Sequence, residues 1–375
     1  WGEWFYRALV LLVVACPCAL VISTPVTIVS ALAGAARRGI LIKGGLHLEN
    51  AGRARVVAFD KTGTLTTGTP AVTAVVPLGG AATTEVIRLA AAAERRSEHP
   101  LALAIVRHAE EMGLDVPAAT DTEALPGRGV RARIDGAEVV VGNVRLLEEL
   151  GALDDEVRRA LDREEAEGRT AAIVARGTGE TVEPIGVIPL ADTPRPEAAE
   201  ALRGLHEAGI ERVVMLTGDN ARAAATVAAS LGGPGRGVDE VMAGLLPADK
   251  AAAVRRLRDA HGTLIMVGDG INDAPALAAA DVGVAMGAAG TDVALETADI
   301  ALMADDLSKL PLAIRYARKA EGIIRVNIVF SLALKAAFMA LVVLGAAMLW
   351  MAVLADTGAS LLVTANGMRA RYAGE

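Results

Sequence analysis

Two long stretches of this chain are almost free of charge, and between them hydrophobic positions recur with the short periods of a soluble α/β protein. Residues 8–36 contain no charged side chain, which exceeds the roughly 20 residues a helix needs to cross a bilayer. Trp1, Trp4, Phe5 and Tyr6 stand before the run as an interfacial aromatic belt would. Arg37, Arg38 and Lys43 follow it, which predicts a cytoplasmic end there. Residues 326–368 carry only Lys335 and Asp356. That length predicts a two-helix hairpin with its turn near Trp350. Basic residues flank it (Arg315, Arg318, Lys319 and Arg325 before, Arg369 and Arg371 after), so both ends face the cytoplasm.

Between these stretches, residues 55–59 form a short apolar run that reads as a buried strand. Residues 71–76, 130–134 and 137–141 alternate as strands, whereas 83–93 and 101–112 read as helices. Residues 171–175 and 182–188 read as two strands joined by a hairpin turn at Thr178-Gly179-Glu180. Pro194 and Pro196 restrict a hinge over 190–196. A helix over 197–208 and strands over 212–216, 264–267 and 282–286 follow. The expected fold class is α/β: a doubly wound parallel sheet with an inserted α+β domain, plus three transmembrane helices. The expected partition is 1–53 for the first membrane segment and 54–68 with 183–310 for the sheet domain. The insertion takes 69–182, and 311–375 forms the final helix pair.

Composition narrows the function. The 375 residues are 53% hydrophobic with a mean hydropathy of +0.41, which fits membrane helices joined to soluble domains. A net charge of −8 and 3% aromatics argue against nucleic acid as a partner. The only cysteines, Cys16 and Cys18, flank one proline inside the first apolar run, which is no disulfide framework. Chemistry clusters at predicted strand ends. Asp60 follows the first strand and opens Asp-Lys-Thr-Gly-Thr-Leu-Thr. A carboxylate there can attack a phosphoryl group, with loop amides and hydroxyls holding phosphate oxygens. Thr217 ends a second strand, and Asp269 and Asp273 follow a third, spaced to hold Mg²⁺ with phosphate oxygen. Lys250 can neutralise charge developing on the phosphoryl group.

In the membrane run, Pro17 removes a backbone donor and directs Cys16 and Cys18 to one unwound spot. Thiolates there suit Cu(I), Zn(II), Cd(II) or Pb(II). Two packed cysteines or a redox pair are the alternatives. Charges inside membrane helices are functional by default, so Asp356 is a candidate oxygen ligand and Lys335 its counter-ion.

The string at Asp60 resembles the phosphorylation signature of P-type ATPases, ion pumps built on a haloacid-dehalogenase-like catalytic domain. Cys-Pro-Cys resembles the membrane motif of their heavy-metal branch, and Ser97-Glu98-His99-Pro100 a mark of its nucleotide-binding domain. The resemblance implies Asp60, Thr62, Thr217 and Lys250 as catalytic. It implies Asp60, Thr62, Asp269 and Asp273 at Mg²⁺, and Glu94, His99, Gly127, Gly129, Asp219 and Asn272 at ATP. Thr178-Gly179-Glu180 matches the family's dephosphorylation tripeptide but lies on the wrong side of Asp60, so it carries no catalytic expectation. Asn327, Lys335 and Asp356-Thr357-Gly358 resemble the zinc/cadmium/lead-exporting subgroup. Met351 lacks the serine that copper pumps place three residues on. The implied function is ATP-driven efflux of Zn²⁺, Cd²⁺ or Pb²⁺ from a multi-pass position in the plasma (inner) membrane, with the catalytic domains cytoplasmic. A copper pump and a membrane-anchored phosphatase are the rivals. The resemblance also implies an actuator domain and earlier membrane helices ahead of the chain, which starts Trp-Gly-Glu-Trp.

Overall fold

The computed structural model describes residues 2–16, 18–125, 127–178, 181–269, 273–286 and 298–372. The first apolar run is divided between helix α1 (Gly2–Ala15) and helix α2 (Cys18–Arg37), where a single span was expected. The division falls around Pro17, which has no N–H to continue the helical ladder. The short strand β1 (Ile40–Ile42) and α3 (Gly45–Arg53) lead to β2 (Val56–Asp60), whose five residues are all buried.

The insertion then unfolds in order. It comprises β3 (Thr66–Val72), β4 (Val76–Pro77), α4 (Thr83–Glu94), α5 (Pro100–Glu111), β5 (Thr120–Leu125), β6 (Gly129–Ile134) and β7 (Ala137–Gly142). It closes with α6 (Val144–Glu149), α7 (Asp155–Ala166), β8 (Thr170–Thr178) and β9 (Thr181–Pro194). The chain returns through α8 (Ala198–Glu207), β10 (Arg212–Leu216), α9 (Ala221–Ser230), β11 (Glu240–Met242) and α10 (Pro247–His261). β12 (Leu264–Gly268), α11 (Ala274–Ala279), β13 (Val282–Ala285) and β14 (Ile300–Leu302) complete the soluble part. Two long helices follow, α12 (Lys309–Val343) and α13 (Leu349–Met368).

One sheet has the order β1-β14-β13-β12-β2-β10-β11 and is parallel except for the edge strand β1. Its inner strands are near-continuous apolar runs because helices cover both faces. The second sheet, β3-β9-β8-β7-β6-β5 with β4 on β9, is antiparallel. The stretch expected as a hinge over 190–196 is strand as far as Pro194, because β9 pairs with β8 and, through Leu190–Pro194, with β3. The hairpin expected around Thr178 is present as the pair Thr178–Thr181; Gly179 and Glu180 lie outside the described residues.

Among the described residues, three helices are long and apolar enough to cross a membrane: α2, α12 and the segment Leu349–Tyr372 that contains α13. At 35 residues and ~1.5 Å per residue, α12 exceeds a bilayer's thickness. Its first turns bury Leu310, Ala313, Ile314, Tyr316 and Ala317 in the core of the parallel sheet. Arg318 fastens it further, donating to the carbonyls of Gly52, Ala54 and Ala208. The later turns expose Val326, Val329 and Leu332, as α2 exposes Val21 and Val29, which suits contact with lipid or further helices.

Candidate functional site

The register of the parallel sheet sets three strand ends side by side. Leu216 of β10 lies opposite Asp60 of β2, and Val267 of β12 opposite Phe59. Thr217 and Asp269, each just beyond its strand, therefore flank Asp60 at the carboxyl edge, where open α/β sheets hold ligands. Lys250, in the first turns of α10, reaches back into this edge. Its Nζ lies 2.5 Å from Asp60 Oδ1 and 2.8 Å from Asp273 Oδ1. Burial and the neighbouring Asp273 push the Asp60 carboxyl up to about 6, against the opposing pull of Lys250. Burial works against the Lys250 ammonium, but its hydrogen bonds to Asp273 and Asp60 prevail and hold its pKa above the ordinary lysine value.

Two buried carboxylates thus share one ammonium, and Asp273 Oδ2 is buried without a hydrogen-bond partner. Gly268 makes this possible: a Cβ there would come within 2.9 Å of Asp273 Oδ2. The orphan oxygen and the surplus negative charge fit a divalent cation such as Mg²⁺. Asp269 lies close to the catalytic loop, its Oδ2 3.8 Å from where a Cβ on Gly63 would stand. Thr62 sits exposed in that loop. Thr217 is buried, and its Oγ1 accepts from the Asp219 amide at 3.1 Å. Asn272 lies outside the described residues.

Several residues of this edge were given no role by the sequence. Lys61 is buried and paired with Asp219, so the aspartate expected at nucleotide is held by the residue next to the nucleophile. Arg195 donates to the carbonyls of Thr64 (2.9 Å), Gly63 (3.0 Å) and Asp305 (3.1 Å). Asp192 accepts from Thr66 and from the Gly68 amide. Together they tie the end of β9 to the loop after Asp60 across more than 100 residues of chain.

In the insertion, Glu94, His99, Gly127 and Gly129 all line one cavity of about 760 Å³ between α4, α5 and the antiparallel sheet. Burial raises the Glu94 pKa, opposed by a hydrogen bond from Ser97. His99 Nδ1 accepts from the Leu101 amide at 3.2 Å, which leaves the ring proton on Nε2 as a donor. Gly129 has no room for a side chain, since a Cβ would collide with the Val141 carbonyl. Asn143, which sequence reasoning passed over, lines the same cavity and donates to the Gly127 carbonyl at 2.9 Å.

In the membrane part, Cys16 and Cys18 are joined in a disulfide; ligation of a metal requires the reduced pair. Lys335 donates to the carbonyls of Val14 (3.1 Å) and Cys16. These acceptors are freed by the interruption between α1 and α2, and they hold the ammonium in place of the expected ion pair with Asp356. Lys335 and Asp356 nonetheless line one small cavity, together with Val14 and Ala19 from either side of the break. Among the described residues no three His, Cys, Asp or Glu side chains converge as a metal cluster.

Comparison with known proteins agrees with this geometry. The family model for haloacid dehalogenase-like hydrolases matches residues 54–281. A probable cadmium-transporting ATPase of Staphylococcus aureus (strain MRSA252) is 45% identical over 98% of this chain and 50% of its own length. The zinc/cadmium/lead-transporting P-type ATPase of Escherichia coli (strain K12) is 49% identical over 98% of this chain and 48% of its own. A zinc-transporting PIB-type ATPase crystallised in the E2.Pi state superposes with a TM-score of 0.89 at 49% identity, over 99% of this chain and 58% of that one. The chain spans about half the length of the curated relatives it matches. It belongs to the haloacid dehalogenase-like hydrolase family and, within it, to the heavy-metal branch of the P-type ATPases.

Proposed function

We propose that this chain carries the catalytic and ion-binding part of an ATP-driven exporter of a soft divalent metal, Zn²⁺, Cd²⁺ or Pb²⁺. The observation that carries the reading is the meeting of Asp60, Lys250 and Asp273 at one sheet edge, on a chain that also holds Lys335 and Asp356 beneath Cys-Pro-Cys. We place the nucleotide domain at 69–182, with β9 carrying its sheet on to Pro194, the phosphorylation domain at 54–68 and in the rest of 183–310, and the membrane segments at 1–53 and 311–375.

Adenine sits in the cavity of the insertion. The Nε2 proton of His99 meets a ring nitrogen, Glu94 accepts from the exocyclic amine, and Gly127 and Gly129 allow close backbone approach. The γ-phosphoryl group reaches Asp60. An Asp60 oxygen forms a bond to phosphorus while the bond to the β–γ bridging oxygen breaks, and ADP leaves with that oxygen. The Thr217 hydroxyl and the amides of the Thr62 loop orient the phosphoryl oxygens, and Lys250 balances their charge. Asp60, Asp269 and Asp273, with the Thr62 backbone, are the residues placed to hold Mg²⁺, which when bound supplies further charge neutralisation at the phosphoryl oxygens. The acyl phosphate is then hydrolysed by water. The transported ion binds the reduced Cys16 and Cys18 thiolates and the Asp356 carboxylate. The catalytic domains face the cytoplasm, and an actuator domain with further membrane helices completes the pump.

Phosphorylation by ATP labelled at the γ position, quenched in acid, tests this. An acid-stable, hydroxylamine-sensitive label that vanishes in Asp60→Asn is expected. Absence of any label together with absence of ATP binding would overturn the reading. In the complete protein, ATPase stimulation by Cu(I) but not by Zn(II), Cd(II) or Pb(II) would overturn the choice of metal.

A further inference from the structure

The small membrane cavity has a third polar wall that neither the motifs nor the comparisons assign. Ser331 lies on α12 one turn before Lys335. It is 2% exposed, and its Oγ is buried without any hydrogen-bond partner. The cavity is lined by one face of α12 (Ser331, Leu334, Lys335, Phe338) and one face of α13 (Ala352, Ala355, Asp356, Ala359). Its remaining walls come from the break between α1 and α2. A hydroxyl buried among these apolar side chains with no partner is destabilising, so an orphan here needs an explanation.

The cavity's size supplies one. It has about 20 Å³ of water-accessible space, enough for a single water, which needs roughly 10–15 Å³ and two to four polar partners. Three candidates face it. Ser331 Oγ is unsatisfied. Asp356 is half-buried and, among the described residues, in no ion pair. Lys335 uses two of its three N–H groups on the carbonyls of Val14 and Cys16.

We propose that Ser331 is a positioning residue for the transported ion: its hydroxyl fixes one water between Lys335 and Asp356, and that water is the neutral oxygen donor offered to the incoming metal. The inference rests on the metal-site reading of Cys16, Cys18 and Asp356, and it deepens that reading. Two thiolates alone favour the softest ions. A carboxylate and an oriented water add harder oxygen donors, which suit Zn²⁺ better than Cd²⁺. Ser331 therefore tunes the balance between the two ions rather than deciding whether metal binds at all.

The test is equilibrium binding of Zn²⁺ and Cd²⁺ to the full chain in lipid nanodiscs with the cysteines reduced, read by competition with a chromophoric chelator. Ser331→Ala is expected to weaken Zn²⁺ about 10-fold, the usual scale for residues that support a ligand, with less than a 3-fold change for Cd²⁺. Ser331→Thr, which keeps the hydroxyl, should retain Zn²⁺ affinity. Asp356→Ala and Cys16→Ala serve as references. If both bind metal as the unaltered chain does, the metal-site reading itself fails. If both lose metal while Ser331→Ala binds Zn²⁺ and Cd²⁺ unchanged, or loses them equally, only the role of Ser331 is overturned. Folding is checked on the same samples through the Tm without metal. A higher Tm for Ser331→Ala than for the unaltered chain would mean the hydroxyl is dry, which also overturns the proposal.

Discussion

Asp60 and Asp273 stand on either side of the Lys250 ammonium, and this crowding has consequences that can be measured without substrate. A carboxyl that titrates near 6 in the folded chain, against 3.8 in the open chain, binds its proton more tightly when folded. Between those two values the folded state holds more protons than the unfolded one, so stability falls as pH rises through about 6 and is fullest below 3.8. Asp60→Asn removes the charge and keeps the shape. Measured without Mg²⁺ or nucleotide, it should stabilise the chain by on the order of 1–3 kcal/mol at pH 8. The gain should shrink towards pH 5. Chemical denaturation at the two pH values checks this, and a gain independent of pH would contradict the crowding account.

Among elements, the loop after β2 depends on a strand that is remote in sequence. Arg195, just past β9, donates to three carbonyls, two of them in the loop. Its planar fork matches that spacing, and a lysine's single ammonium does not. Arg195→Lys should destabilise the chain by about 1–3 kcal/mol, from lost hydrogen bonds to buried carbonyls. It should also slow phosphorylation at least 10-fold while ATP affinity stays the same, since the cavity proposed for the nucleotide is built from other elements. Nothing in the sequence pattern near Arg195 announces this role. Asp60, Thr217 and Asp269 were legible as candidates because each sits in a contiguous motif at the end of a strand whose apolar run is unmistakable, and Lys250 because it stands in the Pro-Ala-Asp-Lys stretch that opens α10. Glu94, His99, Gly127 and Gly129 became candidates only through the family resemblance, and what the structure adds is that they line one cavity. Lys61, Asp192 and Arg195 act through partners more than 100 residues away, and such pairings leave no local period. The division of the first apolar run had the opposite fault: hydropathy counted one span, whereas the run parts into two helices between Ala15 and Cys18. Lys335 stood out in the sequence as a charge inside a membrane run, but its partners are backbone carbonyls, which a list of side chains does not display.

Across the whole molecule, the cavity proposed for adenine and Asp60 belong to different sheets, so on that reading the polyphosphate has to bridge two domains. A cavity of about 1110 Å³ lies between them. It shares Asn143, Thr170 and Ala171 with the nucleotide cavity and ends on Asp219 and Asn220 beside Thr217. Along its wall the two domains touch at Gly168, in the turn between α7 and β8. Gly168 has φ of +76°, and a Cβ there would overlap the Ala223 backbone on α9. The contact sets how closely the nucleotide domain can seat on the parallel sheet. Displacement of reacting groups by about 1 Å can cost 100-fold in rate, so a side chain in this gap should slow transfer from ATP at least 10-fold. Two variants approach the gap from opposite sides. Gly168→Ala adds bulk at a strained backbone position, whereas Ala223→Leu adds it on an ordinary helix. Acetyl phosphate separates a seating defect from a damaged catalytic edge, because this small donor needs no nucleotide domain. Both variants should be phosphorylated by acetyl phosphate at the rate of the unaltered chain, and poorly by ATP that they still bind. Equal losses with both donors would place the fault at Asp60 instead. Full activity with ATP would mean that the domains come together by a path that leaves this contact behind.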